Sequence, residues 1–218
     1  MNIKTFEGGF DKNFSFLIWC NKTKHAAIVD PAVNPIQILE LIKEKDLFLS
    51  KILITHTHHD HFSFIEDYLF YFPNIEIYCH KKSINIFKYY NVIGLSNNEI
   101  ITLGEILFIA LFTPGHYFDS ICYWVKENRI LFTGDTMFVG RTGRTISKTS
   151  NISELFHSIY NIILKLPDET IIYPGHNYGY SKTISLKNNK SISVFFQCKT
   201  LNKFIKVMKQ FEFNYMKK

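Results

Sequence analysis

Residues 55–61 read Thr55-His56-Thr57-His58-His59-Asp60-His61 and contain the pattern His-x-His-x-Asp-His. Imidazoles and a carboxylate at this spacing suit the coordination shell of one or two divalent metals better than a core or an ordinary surface. The preceding residues 51–54 form a short, mainly apolar run with β-branched side chains, which predicts a buried strand. The alternative is a solvated His-rich turn, but ligand spacing of this kind is a signal for metal binding. The stretch therefore predicts metal ligands at the end of a strand.

The composition is that of one globular domain, with or without a short appendage. The chain has 218 residues, and 46% of them are hydrophobic, enough for a sizeable core. The net charge of +6 fits an anionic substrate, but no dense Lys/Arg stripe is present, so we expect no nucleic-acid partner. The longest apolar stretch, residues 106–112, is too short to span a bilayer.

The cysteines and the first residues bear on the compartment. Cys20, Cys79, Cys122 and Cys198 form no C-x-x-C pair, so their spacing implies neither a disulfide framework nor a zinc knuckle. Buried reduced thiols are the expectation. Residues 1–9 lack the apolar region of a signal peptide. We therefore expect a cytoplasmic protein with no membrane partner.

Hydrophobic periodicity predicts strands that alternate with helices. The predicted strands cover residues 14–20, 25–29, 51–54, 75–79, 100–103, 106–112, 121–125, 129–132 and 170–173, and Asp30-Pro31 is expected to end the second of them. The predicted helices cover residues 35–45, 63–70, 152–166 and 199–213. Strand pairs are more frequent than in a doubly wound sheet, which favours a layered α/β (α+β) fold with mixed sheets. We expect a catalytic domain over residues 1–180 and a short, polar, partly helical C-terminal extension over residues 181–218.

Three further strand ends carry residues of the metal-ligand type. They are Thr113-Pro114-Gly115-His116, Thr133-Gly134-Asp135-Thr136 and Tyr173-Pro174-Gly175-His176. In each, a strand ends, a glycine permits a tight turn, and a His or Asp follows. A single Pro-Gly-His would be a plain turn more often than a site. Four strand ends of this kind in one chain favour a single metal centre.

These motifs resemble those of the metallo-β-lactamase-fold hydrolases, and within them the glyoxalase II (hydroxyacylglutathione hydrolase) and persulfide dioxygenase branches. The resemblance covers roughly residues 13–178 and implies a four-layer αβ/βα sandwich with metals at one edge of two facing sheets. All seven ligand positions match: His56, His58 and His116 for a first metal, Asp60, His61 and His176 for a second, and Asp135 as the bridge between them. Asp60 and Asp135 are also the residues expected to be catalytic. His59 lies at a variable position and is left out of the metal set.

The resemblance implies hydrolysis of a thioester by a metal-bound hydroxide. Two divalent ions, zinc by preference and iron or manganese as alternatives, can lower the pKa of a shared water toward neutrality. One of the two metals also polarises the scissile carbonyl. A thioester suits such a site because its thiolate leaving group needs little protonation.

The substrate implied by the resemblance is a small anionic thiol ester, a glutathione conjugate. Arg144 and Tyr178 match positions that contact glutathione, and a guanidinium is well suited to a carboxylate. The alternatives are a solvated loop arginine and a packing tyrosine. The chain departs from glyoxalase II at Ile146, where a tyrosine is usual, and at Phe64, where a glycine is usual. Residues 177–218 are also too few to form the helical domain that completes the glutathione pocket in glyoxalase II.

Other functions stay open at this point. In the persulfide dioxygenase branch a single iron sits on the equivalents of His56, His116 and Asp135, a triad suited to oxygen activation. A nuclease or a metal-holding binding module on the same fold is a further alternative. The lack of an RNA-binding arm or accessory domain weighs against the nuclease. The presence of carboxylates among the ligands, in place of closed all-Cys/His ligation, weighs against a binding module. The tail could cover the pocket or pair with a second subunit in a homodimer.

Overall fold

The computed structural model describes residues 1–217 and contains two six-stranded sheets with helices on their outer faces. The first sheet follows chain order; β1 to β3 are antiparallel neighbours, and β3 to β6 are parallel. Its strands are β1 (Asn2–Gly8), β2 (Asn13–Trp19), β3 (His25–Val29), β4 (Phe48–Leu53), β5 (Glu76–His80) and β6 (Val92–Leu95).

The second sheet runs from β12 at one edge to β7 at the other. Its neighbours are antiparallel except for β10 and β11, which are parallel. Strands β8, β10 and β11 therefore point the same way, and their carboxyl ends meet at one edge. The strands are β7 (Ile100–Leu103), β8 (Ile106–Phe112), β9 (Ile121–Val125), β10 (Ile130–Gly134), β11 (Ile171–Pro174) and β12 (Ile184–Ser185).

Three apolar clusters hold the layers together. Alternation along β2 sends Phe14, Phe16 and Ile18 into the cluster between the sheets and Leu17 into the cluster on the outer face. The outer cluster of the first sheet packs under α1 (Ile36–Glu44) and α2 (Ile65–Tyr71). The outer cluster of the second sheet packs under α3 (Ile152–His157), α4 (Leu186–Ile192) and α5 (Leu201–Met216). The predicted four-layer sandwich is confirmed.

Most predicted elements are present, and the differences have local causes. The helix predicted over residues 152–166 is α-helical to His157, then continues as a π-turn over Ser158–Ile162 and a 3₁₀ turn over Ile163–Lys165. The sequence did not predict β1, β6, β12 or α4. β1 is a partly exposed edge strand, β6 and β12 are four and two residues long, and α4 is mostly polar. None of these presents a strong periodic signal.

The segment predicted as a C-terminal extension packs against the sandwich. β12 pairs with β11, and Phe204 and Met208 of α5 are fully buried beside Leu155 of α3. The division of the chain at residue 180 stays a prediction. What the packing adds is that one face of this otherwise polar segment covers the second sheet.

Two sequence observations can be compared with the structure directly. All four cysteines lie among the described residues, and each is a buried free thiol. Across residues 1–217, no helix combines the length and the apolar character needed to cross a membrane.

Candidate active site

The four predicted strand ends come together at one edge of the two facing sheets. β4 leads to residues 56–61, while β8, β10 and β11 lead to His116, Asp135 and His176. The close approach needs glycine at Gly175, where an added Cβ would lie 2.5 Å from Asp135 Oδ1 and 2.6 Å from His61 Cε1. Any larger residue at this position would displace both side chains.

The first group of ring nitrogens belongs to His56, His58 and His116. His58 Nδ1 lies 2.9 Å from His56 Nε2 and 3.1 Å from His116 Nε2. These three atoms lie within 4.8 Å of one another, which is the arrangement expected of ligands to one metal. We refer to His56, His58 and His116 as the first triplet.

The second triplet consists of Asp60, His61 and His176. His176 Nε2 lies 3.2 Å from His61 Nε2 and 3.4 Å from Asp60 Oδ2. Asp135 lies between the triplets, with Oδ1 3.3 Å from His61 Nε2 and Oδ2 3.5 Å from His116 Nε2. The structure thus brings all seven predicted ligands into one cluster and gives Asp135 the intermediate position.

Hydrogen bonds on the outer side of the rings fix their tautomers. His116 Nδ1 lies 2.8 Å from the carbonyl of Arg144, and His176 Nδ1 lies 2.8 Å from the carbonyl of Asp11. A carbonyl only accepts, so each Nδ1 carries a proton and each Nε2 faces the centre. Both rings are therefore oriented with Nε2 as the nitrogen that can bind a metal.

Asp30 performs the same role for His61 and also holds the loop that begins the motif. One of its carboxylate oxygens lies 2.8 Å from His61 Nδ1 and accepts the Thr55 hydroxyl at 2.7 Å. The other accepts the Thr55 N–H at 2.8 Å. Asp119 supports the next turn by accepting the N–H and hydroxyl of Thr57 and the hydroxyl of Ser83. Two buried carboxylates thus fix the backbone between β4 and the ligands.

Burial decides the charge of the first triplet. It lowers the pKa of His56 well below the usual range for histidine and the pKa of His58 to about 4. It also lowers the pKa of His116. These imidazoles are neutral at physiological pH, so they need not lose a proton to bind a metal.

The second triplet has the opposite balance. Burial, the largest single effect, favours neutral rings at His61 and His176, but the interactions with Asp135, joined by Asp30 at His61 and by the Asp11 carbonyl at His176, together raise the pKa of both. Burial opposes ionisation of Asp135, yet His176 and His61 hold its pKa well below the usual range. Protons on the imidazoles thus balance a buried negative charge, a function that a divalent cation can take over.

The residues present fit a metal centre. Asp135 Oδ1 is buried, and the Nε2 atoms of His61 and His176 lie 3.3 and 3.4 Å away without forming a hydrogen bond of normal geometry, so a bound cation would satisfy this oxygen better. The cluster is made of imidazoles and carboxylates, the donors that zinc, iron and manganese share. His59 belongs to no such group: it is exposed and packs on Phe62 at a centroid distance of 5.4 Å.

Both predicted substrate-binding residues line a cleft of about 590 Å³ that opens above the cluster. The Tyr178 ring stacks on His176 at 4.8 Å, and its hydroxyl donates to Asp11. Tyr178 therefore packs directly against His176, one of the predicted metal ligands. The guanidinium of Arg144 lies over the Tyr215 ring, 3.8 Å from its centroid, and has no carboxylate partner among the described residues.

A comparison of sequence families matches residues 8–176 to the metallo-beta-lactamase superfamily. This chain belongs to the metallo-beta-lactamase superfamily. A probable hydroxyacylglutathione hydrolase of Schizosaccharomyces pombe is 36% identical over 94% of the chain and 77% of its own length. PksB of Bacillus subtilis, named as a probable polyketide biosynthesis zinc-dependent hydrolase, is 30% identical over 94% of the chain and 90% of its own length. Among solved structures, ETHE1 from Myxococcus xanthus has a TM-score of 0.87 and 28% identity, covering 96% and 90% of the two chains.

The sequence alone does not predict the roles of several residues around this metallo-beta-lactamase-type site. The sequence predicts Asp30 only as the end of a strand, although an Asp-Pro pair after a buried strand also places a carboxylate at the edge where the ligands lie. Tyr215 lines the cleft and Glu212 binds the adjacent Thr145; both belong to α5, far along the chain, and no local signal indicates either role. Arg141 is wedged between Tyr178 and Phe211, and its Nε is buried without a partner.

Proposed function

We propose that this chain is a metal-dependent thioesterase that hydrolyses a hydroxyacylglutathione-type thioester. The observation that carries the proposal is the convergence of two triplets on a shared Asp135 at the base of an open cleft. Relatives at 36% and 34% identity, both named as probable hydroxyacylglutathione hydrolases, support the same activity. The cleft also carries a basic side chain suited to an anionic thiol carrier.

We propose that the first triplet holds one divalent ion, the second triplet holds another, and Asp135 serves both. Metal ions bound there would supply a hydroxide nucleophile near neutral pH and polarise the thioester carbonyl. Zinc is the proposed metal, in keeping with the zinc-dependent hydrolase named among the relatives. The chain itself keeps the imidazoles of the first triplet neutral and turns the ring nitrogens of both triplets toward Asp135.

In this proposal Asp60 and Asp135 are the catalytic carboxylates. Asp135 is buried and ionised, so it favours cationic groups between the triplets. Asp60 is partly exposed to the cleft and accepts a hydrogen bond of 2.9 Å from the Asn13 side chain, which fixes its direction. Reduced thiols and a glutathione conjugate as substrate fit the cytoplasm, the location that we propose.

The test is to measure metal content and hydrolysis on the same preparation. Protein purified without added metal or chelator is expected to contain about two divalent ions per chain and to cleave S-lactoylglutathione. Removal of the metal with a chelator should abolish cleavage, and added zinc should restore it. Protein that contains two metals per chain and cleaves no glutathione thioester would contradict the proposal.

A second candidate is a mononuclear iron dioxygenase acting on glutathione persulfide. It is favoured by the proximity of the three residues, since His56 shares one group of ligand atoms with His116 and another with Asp135, and His116 Nε2 lies 3.5 Å from Asp135 Oδ2; the overall likeness to ETHE1 also favours it. In this case we expect about one iron per chain and oxygen uptake with the persulfide. The metal analysis therefore separates the two candidates before any substrate is screened.

Arg144 is proposed to bind the anionic end of the thiol carrier. Replacing Arg144 with alanine should raise KM for S-lactoylglutathione by about 10- to 150-fold, because a charge-assisted hydrogen bond contributes roughly 1.5–3 kcal/mol. Steady-state kinetics measure the change. Lys148→Ala is the matched control, since Lys148 is an exposed cation on the same loop. An equal rise in both variants would indicate general attraction by positive charge and would contradict a specific contact.

A further inference from the structure

The far end of the C-terminal helix faces the loop that carries Arg144. Phe204 and Met208 of α5 are buried under α3, and the same face of the helix continues through residues 211, 212 and 215. Spacings of four and three residues keep these side chains on one side of a helix. The buried half of α5 thus anchors the helix, and its last turns reach the rim of the cleft.

Glu212 fastens this loop through two hydrogen bonds. Glu212 Oε1 accepts the backbone N–H of Thr145 at 2.6 Å and its hydroxyl at 2.8 Å. A carboxylate that accepts two donors from one residue fixes both the position and the direction of that residue. Glu212 is half-buried, so water competes only in part for these bonds.

Arg144 lies between this fastening point and the first triplet. Its carbonyl accepts from His116, while its guanidinium lies over the Tyr215 ring. The backbone at the preceding Gly143 is closely packed, because an added Cβ would lie 2.1 Å from the carbonyl of Asp135. The backbone of the loop is thus held on the metal side by His116 and on the outer side by α5.

We propose that Glu212 and Tyr215 are positioning residues that aim the Arg144 guanidinium into the cleft and so set the affinity for the anionic part of the substrate. Glu212 holds the backbone of the loop, and the Tyr215 ring restricts the side chain. Both residues act through Arg144, and their hydrogen bonds and ring contacts are with Thr145 and Arg144 and not with either triplet. The proposal rests on the proposed function, because it concerns the affinity for an anionic thioester.

The test compares disruptive and conservative variants. Glu212→Leu removes the acceptor, whereas Glu212→Gln keeps an oxygen that can accept from Thr145. Tyr215→Leu removes the aromatic face, whereas Tyr215→Phe keeps it. Phe213→Leu is the control, since Phe213 is an exposed aromatic on the same turns and lies on the other side of the helix.

The first readout is the split between KM and kcat for S-lactoylglutathione. We expect KM to rise about tenfold in Glu212→Leu, the effect of a lost charge-assisted hydrogen bond, with kcat and metal content within about twofold of the wild type. Tyr215→Leu should raise KM about threefold, as for a partly exposed cation–π contact. Glu212→Gln, Tyr215→Phe and Phe213→Leu should stay close to the wild type.

The second readout needs no substrate. Trypsin cuts after arginine, and a loop held from both sides resists cleavage between Arg144 and Thr145. Mass spectrometry should find faster cleavage at this bond in Glu212→Leu, with no increase in Glu212→Gln or Phe213→Leu. This readout reports on the fastening of the loop alone.

The outcomes distinguish failure of the positioning role from failure of the proposed function. If the wild type cleaves no glutathione thioester, the proposed function fails, and the proteolysis series still decides whether α5 holds the loop. Wild-type KM in both leucine variants would overturn the positioning role, even if cleavage at Arg144 increased. A loss of kcat and metal in every variant, including Phe213→Leu, would overturn it as well, because it would reveal a purely structural helix.

Discussion

Replacing Asp135 with alanine is expected to abolish thioester hydrolysis and to remove metal from both triplets together. Among the residues that the structure describes, Asp135 is the one whose carboxylate lies close to both triplets, with one oxygen near His61 and the other near His116. Loss of the shared ligand should cost at least about 4 kcal/mol of transition-state stabilisation, roughly a 1,000-fold fall in kcat/KM. Elemental analysis and steady-state kinetics on the same sample measure both effects.

The control for this variant is Asp135→Asn, which keeps the shape and one acceptor oxygen but removes the charge. We expect it to retain more metal than Asp135→Ala but little activity, since an amide does not balance the charge between two cations. Thermal unfolding of both variants shows whether the fold persists. Unchanged metal content with full activity in Asp135→Ala would refute the shared-ligand role and, with it, the two-metal proposal.

The location of the candidate site could be predicted because its ligands follow strands with strong apolar signals. β4 and β8 are recognisable as buried strands, and a glycine and a ligand-type residue stand at or just after the ends of β8, β10 and β11. Parallel directions then bring those ends to one edge. Sequence reasoning succeeds here because each ligand lies close to a local signal.

The support of the site could not be predicted in the same way. Glu212 contacts Thr145 across 67 residues, and nothing near either residue indicates the pairing. The helix that carries Glu212 was predicted from periodicity, but periodicity does not say which loop its last turns meet. The residues that aim and fix the ligands therefore appear only when the layers are assembled.

Asp30 is the clearest case of such a residue, and replacing it should have the largest effect on stability. It is 2% exposed and accepts hydrogen bonds from Thr55 and His61. Removing one partner of a buried ionic pair costs about 3–5 kcal/mol, because the other partner is left without compensation. Asp30→Ala should lower the free energy of unfolding of the metal-free protein by that amount, measured by urea denaturation.

Backbone conformation has to be separated from this effect. Asp30 has φ of 50°, in the left-handed region, where alanine is strained by about 1–2 kcal/mol. Asp46 has φ of 52° but is exposed and makes no side-chain hydrogen bond, so Asp46→Ala measures the strain alone. The difference between the two alanine variants is the contribution of the buried carboxylate. A difference below about 1 kcal/mol would contradict the role that we assign to Asp30.

Asp30→Asn then separates stability from metal binding. Asparagine tolerates the left-handed conformation and can still accept the Thr55 N–H, so Asp30→Asn should lose less folding stability than Asp30→Ala. Its amide cannot accept from Thr55 and His61 with the strength of a carboxylate, so His61 loses the partner that fixes its tautomer. Loss of such an outer partner typically lowers metal affinity by about 10- to 100-fold. A metal titration should therefore show a weakened second triplet in a protein that unfolds less readily than Asp30→Ala, because Asp30 orients a ligand in addition to stabilising the fold.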